Sequence, residues 1–314
     1  MSEKLLYTKQ LSKRYGENQV LNQINMTIYK GDIYGFIGKN GAGKTTFIRT
    51  ITKLISKSSG EFVYSKPNIK ISAVIEQPAL YTDMTAMQNL TYMCKLKGCY
   101  NKKRAEEALE FVGLQDTGKK LVRDFSLGMR QRLGIGMAIV TQPDFLILDE
   151  PINGLDPVGI AEIRNIMKRI NQELGTTLLV SSHILSELEM VSTRYGIIHQ
   201  GTMVREFTKE ELAKETGSFA LLQTSDNEKA QRIIREKSPG DIAVEGKGLV
   251  FKATEEACKW IGRKLLQERI AVYQFQIRKT DLEEYLGIQR IDKLSGKKLI
   301  KTYQDLSLIH ISEP

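Results

Sequence analysis

The segment Gly38-Lys39-Asn40-Gly41-Ala42-Gly43-Lys44-Thr45-Thr46 matches the pattern G-x-x-x-x-G-K-[ST] at every position. Glycines in such a loop allow successive backbone N–H groups to turn inward and form a concave site for phosphate oxygens. Lys44 would place a positive charge at the β- and γ-phosphates, and the Thr45 hydroxyl would bind Mg²⁺. The same pattern also occurs as a plain glycine turn, so its surroundings decide its meaning.

The segments that flank this loop have to position it. Residues 32–37 form an apolar run that predicts a buried strand before the loop. After the loop, apolar residues recur at helical spacing, at Phe47, Ile48, Ile51, Leu54 and Ile55. A helix that begins at the loop would direct its positive dipole end toward the same anion. Strand, glycine loop and helix together predict a site for a nucleoside triphosphate.

A pair of carboxylates, Asp149 and Glu150, follows the apolar run 145–148, which predicts another buried strand. In a parallel α/β sheet, ligands bind at the carboxyl ends of the strands. Of two adjacent carboxylates at that edge, one can hold Mg²⁺ while the other polarises an attacking water molecule. The pair is therefore a candidate for metal binding and catalysis.

Gln77 and His183 also stand at the ends of predicted strands, at 69–75 and 176–182. Taken alone, a glutamine in such a place is usually a surface amide, and a single histidine is more often structural than catalytic. At the same sheet edge as the two carboxylates, His183 becomes a candidate γ-phosphate sensor and Gln77 a candidate ligand-binding residue.

Two further residues have open interpretations. Ser126 is well placed to cap the helix that follows it, and spacing alone assigns it no other role. Tyr15 is either a core aromatic residue or, once a nucleotide is placed at the glycine loop, a ring that stacks on adenine.

The composition is that of a globular protein whose charge identifies no partner. Of the 314 residues, 41% are hydrophobic and 26% charged, and 46 basic against 37 acidic residues give a net charge of +9. The basic residues are scattered without interleaved aromatics, so we expect a solvated surface and no nucleic acid. No apolar run approaches the roughly 20 residues that span a bilayer, and we find no secretory signal. The 3 cysteines lack metal-ligand spacing, which suits reduced thiols in a cytosol.

Length and the order of segments predict two domains. Residues 1–216 form the nucleotide-binding domain, with a helical part at about 79–142, in which Thr85 can cap the helix that starts there. Residues 217–288 read as strand, helix, strand, strand, helix, strand, which predicts a small α+β domain of the ferredoxin-like type. This second domain contains no motif that carries chemistry, and we expect a regulatory or interacting role. Residues 289–305 form a tail.

The segment 306–314 has a different interpretation. Leu306-Ser307-Leu308-Ile309-His310-Ile311-Ser312-Glu313-Pro314 can be encoded by CTGTCTCTTATACACATCTCCGAGCCC, a string that resembles a transposase-type sequencing-adaptor end read through in frame. We interpret these residues as adaptor-derived and assign no function to His310. Recovery of the same codons from unligated genomic DNA would contradict this interpretation.

Taken together, these segments resemble the ATP-binding subunits of ABC transporters over roughly residues 4–215. The motifs have the order and approximate spacing of that family, which is more specific than any single motif. The signature Phe125-Ser126-Leu127-Gly128-Met129 departs from the commonest form, Leu-Ser-Gly-Gly-Gln. With the following Arg130-Gln131-Arg132-Leu133 it is similar to the exporter branch linked to bacitracin and lantibiotic resistance.

The resemblance implies a fold and a set of roles. The fold is α/β: a P-loop NTPase (ABC ATPase) domain with antiparallel β and helical subdomains, plus the small C-terminal α+β (ferredoxin-like) domain. Glu150, His183 and Gln77 would be catalytic, and Thr45, Gln77 and Asp149 would bind Mg²⁺. The residues implied in ATP binding are Tyr15, Gly38, Asn40, Gly41, Ala42, Gly43, Lys44, Thr45, Thr46, Ser126, Gly128 and Asp156. Lys39 and Lys53 replace residues that are more often Pro and Gly, at positions that need no particular side chain for phosphate contact.

The resemblance also implies partners. Two nucleotide-binding domains, identical or different, would dimerise head to tail, so that Ser126 and Gly128 of one face the ATP of the other. ATP would join the two domains, and its hydrolysis would release them. The region 81–87 would accept coupling helices of a polytopic membrane permease. The protein would then be cytoplasmic and peripheral on the inner face of the cell membrane, where it would drive export of an antimicrobial peptide or self-protection against one.

Two other hypotheses remain open at this point. The chain could be a soluble ABC-type ATPase that acts on nucleic acid or ribosomes, although one set of motifs and the lack of a sustained heptad pattern argue against it. It could also be a regulatory module that only senses ATP. The intact Asp149, Glu150 and His183 argue against that hypothesis.

Overall fold

The computed structural model describes residues 3–215, 218–240 and 242–279. The chain divides into two compact units, Met1–Lys209 and Glu210–Pro314. The predicted domain boundary between 216 and 217, the last residues of the predicted accessory domain (280–288), the tail 289–305 and the segment 306–314 lie outside the described residues. The division into domains at those positions therefore stays a prediction.

The first unit alternates strands and helices for most of its length. Its strands are β1 (Lys4–Tyr15), β2 (Asn18–Tyr29), β3 (Ile33–Ile37), β4 (Ser59–Tyr64), β5 (Ile71–Val74), β6 (Phe145–Asp149), β7 (Thr177–Ser182), β8 (Arg194–His199) and β9 (Thr202–Thr208). Its helices are α1 (Lys44–Ile51), α2 (Ala86–Leu96), α3 (Lys102–Phe111), α4 (Leu127–Ile139), α5 (Pro157–Leu174) and α6 (Leu185–Glu189). The segment α7 (Lys209–Glu215) follows β9.

A six-stranded sheet in the order β5-β6-β7-β3-β8-β9 forms the centre of the first unit. The first five of these strands are parallel, and β9 runs antiparallel to β8. Every residue of β3, β6 and β7 is buried, which explains why these strands read as continuous apolar runs in the sequence. Because β6, β7 and β3 are neighbours, the segments that follow them leave the sheet side by side.

A three-stranded antiparallel sheet, β2-β1-β4, covers α1 and the central sheet. The sequence predicts two or three short strands here, whereas the structure has two strands of 12 residues each. Gln10 and Gln23 have φ values of 49° and 50°, at irregular points of the β1–β2 pairing. Such irregularities interrupt the alternation of side chains without ending the strand, which is why the pattern looks like shorter pieces.

Helix α1 is shorter than its apolar spacing predicts. Phe47, Ile48 and Ile51 are fully buried as expected, but Leu54 is 65% exposed, so its assignment to the buried face is wrong. The chain turns away after Ile51 because Lys53 takes the left-handed conformation, with a φ of 61°. Apolar periodicity cannot reveal this break, since the residue that makes it is a lysine rather than the glycine usual at helix ends.

The predicted helical part of the first unit consists of α2, α3 and α4. Thr85 caps α2 through a reciprocal pair of hydrogen bonds with Gln88 (3.2 and 2.8 Å), and the Ser126 hydroxyl caps α4 by accepting the Met129 N–H (3.2 Å). Both caps are as the sequence predicts, because each hydroxyl accepts an N–H that has no partner inside its helix.

The second unit contains β10 (Ser218–Thr224), α8 (Asn227–Lys237), β11 (Ile242–Glu245), β12 (Gly248–Lys252), α9 (Glu255–Gln267) and β13 (Val272–Lys279). Its sheet has the order β11-β12-β10-β13, and all its neighbouring strands are antiparallel. Buried side chains from β10, β12 and both helices form its core, among them Leu222, Ile234, Phe251 and Ile261. The predicted α/β fold with a ferredoxin-like second unit is therefore confirmed.

Within the described ranges, no helix combines the length and the apolar composition that crossing a bilayer requires.

Candidate functional site

The site lies at the carboxyl edge of the central sheet, where three neighbouring strands end. The glycine loop follows β3, Asp149 and Glu150 come at the end of β6, and His183 follows β7. Parallel strands are about 4.8 Å apart. Their register pairs Ile37 with Ser182, and Asp149 with Ser181, so the side chains that leave these strands are within reach of one another.

The glycine loop leads directly into α1. Gly41 and Gly43 have φ values of 78° and 107°, which favour glycine at both positions. A Cβ on Gly43 would also lie 3.0 Å from a Leu21 methyl group and 3.1 Å from the Val20 carbonyl oxygen. Glycine is therefore required at position 43 by backbone conformation and by space.

Lys44 is the charged centre of the site and is only 6% exposed. Its Nζ donates a hydrogen bond to the Gly38 carbonyl oxygen (2.6 Å) and lies 3.0 Å from Glu150 Oε1. The other carboxylate oxygen of Glu150, Oε2, is 2.8 Å from His183 Nδ1. The partly buried Glu150 carboxylate therefore has Lys44 on one oxygen and the His183 ring on the other, and these two contacts hold it in position.

Asp149 is 1% exposed and lies beside α1. The Thr45 hydroxyl donates to Asp149 Oδ2 at 2.7 Å. The structure thus brings together five of the predicted residues, Lys44, Thr45, Asp149, Glu150 and His183, which are contributed by helix α1 and by the ends of strands β6 and β7.

Gln77 lies beside the same cluster. An open cavity of about 820 Å³ is lined by three residues of the cluster, Thr45, Asp149 and Glu150, and also by Gln77 and Pro78. The signature helix α4 contributes Leu127, Arg130 and Gln131 to the same cavity. The cavity therefore separates the strand edge from the helical part of this unit.

The structure does not connect every predicted residue to this cluster. Tyr15 lies at the end of β1, 50% exposed, with Lys13 Nζ 4.7 Å from the centre of its ring. Ser126 and Gly128 are at the start of α4, where Ser126 is exposed. Asp156 caps α5 by accepting the Gly159 N–H at 3.0 Å. For these residues the described contacts are local, and a role in nucleotide binding stays a prediction.

Two further residues at the site have no role that was predicted from the sequence. Ser181, fully buried in β7, donates to Asp149 and accepts from the Glu150 N–H. Gln131 is 6% exposed, and its Nε2 has no hydrogen-bond partner among the described residues. Ser181 lies in the apolar run 176–182. The signal that the sequence offered was therefore a hydroxyl residue within a predicted buried strand.

A parallel sheet whose glycine loop, paired carboxylates and histidine meet at one edge, beside a helical part, defines an ATP-binding cassette nucleotide-binding domain. The family model "ABC transporter" matches residues 21–153. The fold is similar to a solved ATP-binding cassette of an ABC transporter in its ADP conformation, with a TM-score of 0.61 and 24% identity over 67% of this chain and 93% of that one.

Two relatives share higher sequence identity with the chain than this solved structure does. The chain is 37% identical to the bacitracin transport ATP-binding protein BcrA of Enterococcus faecalis, over 91% of this chain and 96% of that protein. It is 41% identical to the lantibiotic transport ATP-binding protein SrtF of Streptococcus pyogenes, over 64% of this chain and 90% of that protein. The chain belongs to the family of ABC transporter ATP-binding proteins, and the predicted resemblance to the bacitracin and lantibiotic branch is confirmed. It is an ATPase of that family.

Proposed function

We propose that this chain is the ATP-hydrolysing subunit that drives a separate membrane permease, and that the exported molecule is an antimicrobial peptide of the bacitracin or lantibiotic type. The observation that carries the proposal is the cluster of Lys44, Glu150 and His183 beside Thr45 and Asp149. The substrate class is supported by the names of the bacitracin and lantibiotic relatives.

Glu150 is the general base in this proposal. Its ionised carboxylate can only accept hydrogen bonds, so His183 would donate its Nδ1–H across the 2.8 Å contact and orient the carboxylate. Lys44 would turn from Glu150 to the β- and γ-phosphates of bound ATP, beside the backbone N–H groups of the glycine loop from Gly38 to Thr46. Glu150, freed from that ion pair, would accept a proton from the attacking water molecule.

The residues at this edge fit Mg²⁺. Thr45 Oγ1 and Asp149 Oδ2 are hard oxygen donors only 2.7 Å apart, and Gln77 lines the same cavity with its carboxamide. Mg²⁺ in proteins is usually bound through one or two carboxylates together with substrate phosphates and water. Among the described residues no group of three or more His, Cys, Asp or Glu side chains could hold a metal ion by itself. When bound, Mg²⁺ would neutralise part of the charge on the phosphates.

We propose that the complete site needs a second nucleotide-binding domain, in a homodimer or in a pair of different chains. Ser126 is exposed at the positive end of α4, and Gly128 lies in the first turn of that helix. Both could offer hydrogen-bond donors to the γ-phosphate held by the partner. Asp156, at the start of α5, would lie at the same interface, and Tyr15 would stack on the adenine.

The permease is proposed to dock on the region 81–87 and the adjoining face of α2. Tyr81 and Tyr92 are 46% and 40% exposed, and their rings pack edge to face with centroids 4.7 Å apart. Buried Asn89 fixes the backbone of Tyr81 by accepting its N–H (2.9 Å) and donating to its carbonyl oxygen (3.0 Å). A fixed pair of exposed aromatic rings suits a protein partner, and the chain would then be peripheral on the inner face of the membrane.

Replacement of Glu150 by glutamine tests the proposed mechanism. Glu150→Gln should bind ATP about as tightly as the wild type, lower turnover by at least about 100-fold, and accumulate as an ATP-bound dimer. Nucleotide binding, phosphate release and size-exclusion chromatography measure the three effects. Rapid hydrolysis by this variant would remove Glu150 from the role of base.

The transport proposal needs a different experiment. The chain, expressed in a sensitive host together with a candidate permease, should raise the inhibitory concentration of bacitracin or of a lantibiotic. The same permease expressed with the Glu150→Gln variant should not. If neither class of peptide is affected while ATP hydrolysis is normal, the substrate class is wrong and the ATPase assignment is unaffected.

A further inference from the structure

Ser181 connects the two carboxylates of the site, and we propose that its hydroxyl is a positioning group that sets the orientation of both Asp149 and Glu150. This inference rests on the proposed roles of Asp149 and Glu150. It assigns a function to a residue of β7 that belongs to none of the motifs described above.

The position of Ser181 is determined by the sheet. In the parallel register of β6 and β7, Ser181 is the partner of Asp149. Its side chain is 0% exposed, and the strand residues before it, Leu178, Leu179 and Val180, are apolar and buried. Buried hydroxyl groups are nearly always hydrogen-bonded, because desolvation of an unpaired hydroxyl is costly. Here the hydroxyl donates one hydrogen bond to Asp149 and accepts one from Glu150, so both of its hydrogen bonds are made with residues of the site.

The first contact fixes the Asp149 carboxylate. Ser181 Oγ donates to Asp149 Oδ1 at 2.5 Å, while the Thr45 hydroxyl donates to Oδ2 at 2.7 Å. The two oxygens therefore have different partners, one deep in the sheet and one at the edge. Rotation of the carboxylate would break both hydrogen bonds, so Oδ2 is held on the side of Thr45.

The second contact fixes the backbone of Glu150. The Glu150 N–H donates to Ser181 Oγ at 3.0 Å and lies 3.2 Å from the Ser181 carbonyl oxygen. Glu150 has a φ of 51°, a left-handed conformation that is unfavourable for a residue with a side chain. The hydrogen bonds from its N–H to Ser181 support that conformation, from which the carboxylate reaches His183 and Lys44.

One hydroxyl therefore sets two geometries that the reaction needs together. Loss of the hydroxyl should leave the glycine loop unchanged, because Ser181 makes no described hydrogen bond to it. Binding of ATP without Mg²⁺ should then be nearly normal. The gain in ATP affinity that Mg²⁺ provides should fall, since Asp149 is proposed to be a ligand, and turnover should fall because Glu150 is also misplaced.

The decisive comparison is Ser181→Thr against Ser181→Val. Both side chains are β-branched and suit a strand, and they differ in the hydroxyl that Thr keeps. A hydrogen bond to a charged group contributes enough to predict a change of about tenfold or more when it is lost. We expect Ser181→Val to lower the Mg²⁺-dependent gain in ATP affinity and kcat by about tenfold each, and Ser181→Thr to keep both within about threefold.

Binding of ATP is measured in EDTA and in Mg²⁺ with Glu150→Gln present as well, so that this readout does not depend on turnover. The matched control is Ser192→Ala, which deletes another buried hydroxyl, one without a hydrogen-bond partner among the described residues. This control should leave ATP binding and kcat within about twofold, since no bond to the site is lost. Thermal unfolding reports whether each variant is folded, and Ser181→Ala replaces Ser181→Val if the larger side chain is not accommodated.

Equal Mg²⁺ dependence and kcat in the Val (or Ala) and Thr variants would overturn the positioning role, whether both are active or both are impaired. Failure of the proposed function gives a different result, since Glu150→Gln alone would then hydrolyse ATP like the wild type. If Glu150→Gln is inactive and the variant without the Ser181 hydroxyl is as active as the wild type, the positioning role of Ser181 is refuted and the proposed function is unaffected.

Discussion

Gly134 is the position at which helix α4 touches the segment that contains Gln77, and replacing it with alanine tests whether that contact controls catalysis. A Cβ on Gly134 would lie 2.4 Å from Pro78 Cβ and 2.6 Å from Pro78 Cγ. Ordinary contacts begin at 3.4 Å, so the Pro78 ring would have to retreat by about 1 Å. Because Gln77 is bonded directly to Pro78, its carboxamide, which is proposed to contribute to the Mg²⁺ site, would move with it.

The cost to stability should be modest. Overpacking a buried contact costs about 1–3 kcal/mol, while alanine is better than glycine inside a helix by about 1 kcal/mol. The net loss of about 0–2 kcal/mol is smaller than the unfolding free energy of about 5–15 kcal/mol typical of a folded domain. Gly134→Ala should therefore fold. A displacement of about 1 Å at a catalytic group, in contrast, can lower turnover by about 100-fold, so we expect a fall in kcat of between tenfold and 100-fold.

Gly136→Ala is the matched control. It makes the same change two residues further along α4, where the added Cβ would lie 3.3 Å from a Val112 methyl group. We expect turnover within about twofold of the wild type for this variant, since the small displacement falls on a side chain away from the site. Phosphate release, ATP binding and thermal unfolding are measured on all three proteins. Wild-type turnover in a stable Gly134→Ala protein would refute the coupling between Pro78 and the site.

Three other changes test separate parts of the structure. Ser126→Arg should leave ATP binding within about twofold and abolish ATP-dependent dimerisation and turnover, because its side chain would enter the proposed interface; dimers on size-exclusion chromatography would contradict this. Burial raises the pKa of Glu206, which accepts the Tyr34 hydroxyl at 2.7 Å. The contribution of Glu206 to the free energy of unfolding is therefore fully present below its unfolded pKa of about 4.3, and it is lost as pH rises through the folded pKa. Glu206→Gln should therefore gain in Tm relative to the wild type as pH rises from about 4 to about 7, whereas a constant difference would refute the argument. Lys53→Gly should raise the unfolding free energy by about 0.5 kcal/mol, because relief of the left-handed strain slightly exceeds the added chain entropy; destabilisation in urea would contradict it.

Local signals predicted much of the fold. The strands β3, β6 and β7 are buried on both faces, so their apolar runs are visible without knowledge of the partners. The caps of α2 and α4 were visible because Thr85 and Ser126 act on N–H groups three residues away. The principal cluster was predictable since each of its residues follows such a strand or belongs to the glycine loop.

Features that depend on long-range geometry could not be predicted in this way. Leu54 is exposed because Lys53 takes a left-handed conformation, and a lysine in the sequence does not predict that conformation. Ser181 acquires its importance from the β6–β7 register, which places it beside Asp149 across 32 residues of sequence. The sequence shows a serine at position 181, but it does not show which residue of β6 lies opposite that serine.

Helix α4 joins parts of the site that would otherwise act separately. Near its start, a Cβ on Gly154 would lie 3.3 Å from a Leu127 methyl group, so the turn that leads to Asp156 packs on its first turn. Seven residues further on, about 10.5 Å along the helix axis, Gly134 meets Pro78. A hydrogen-bonded helix moves as a unit, so if ATP binding in one domain displaced Pro78, it would also move Ser126, the group proposed to reach the ATP of the partner. Sensing of one nucleotide and contact with the other would therefore be linked through the tight contact at Gly134, which alanine at this position would change.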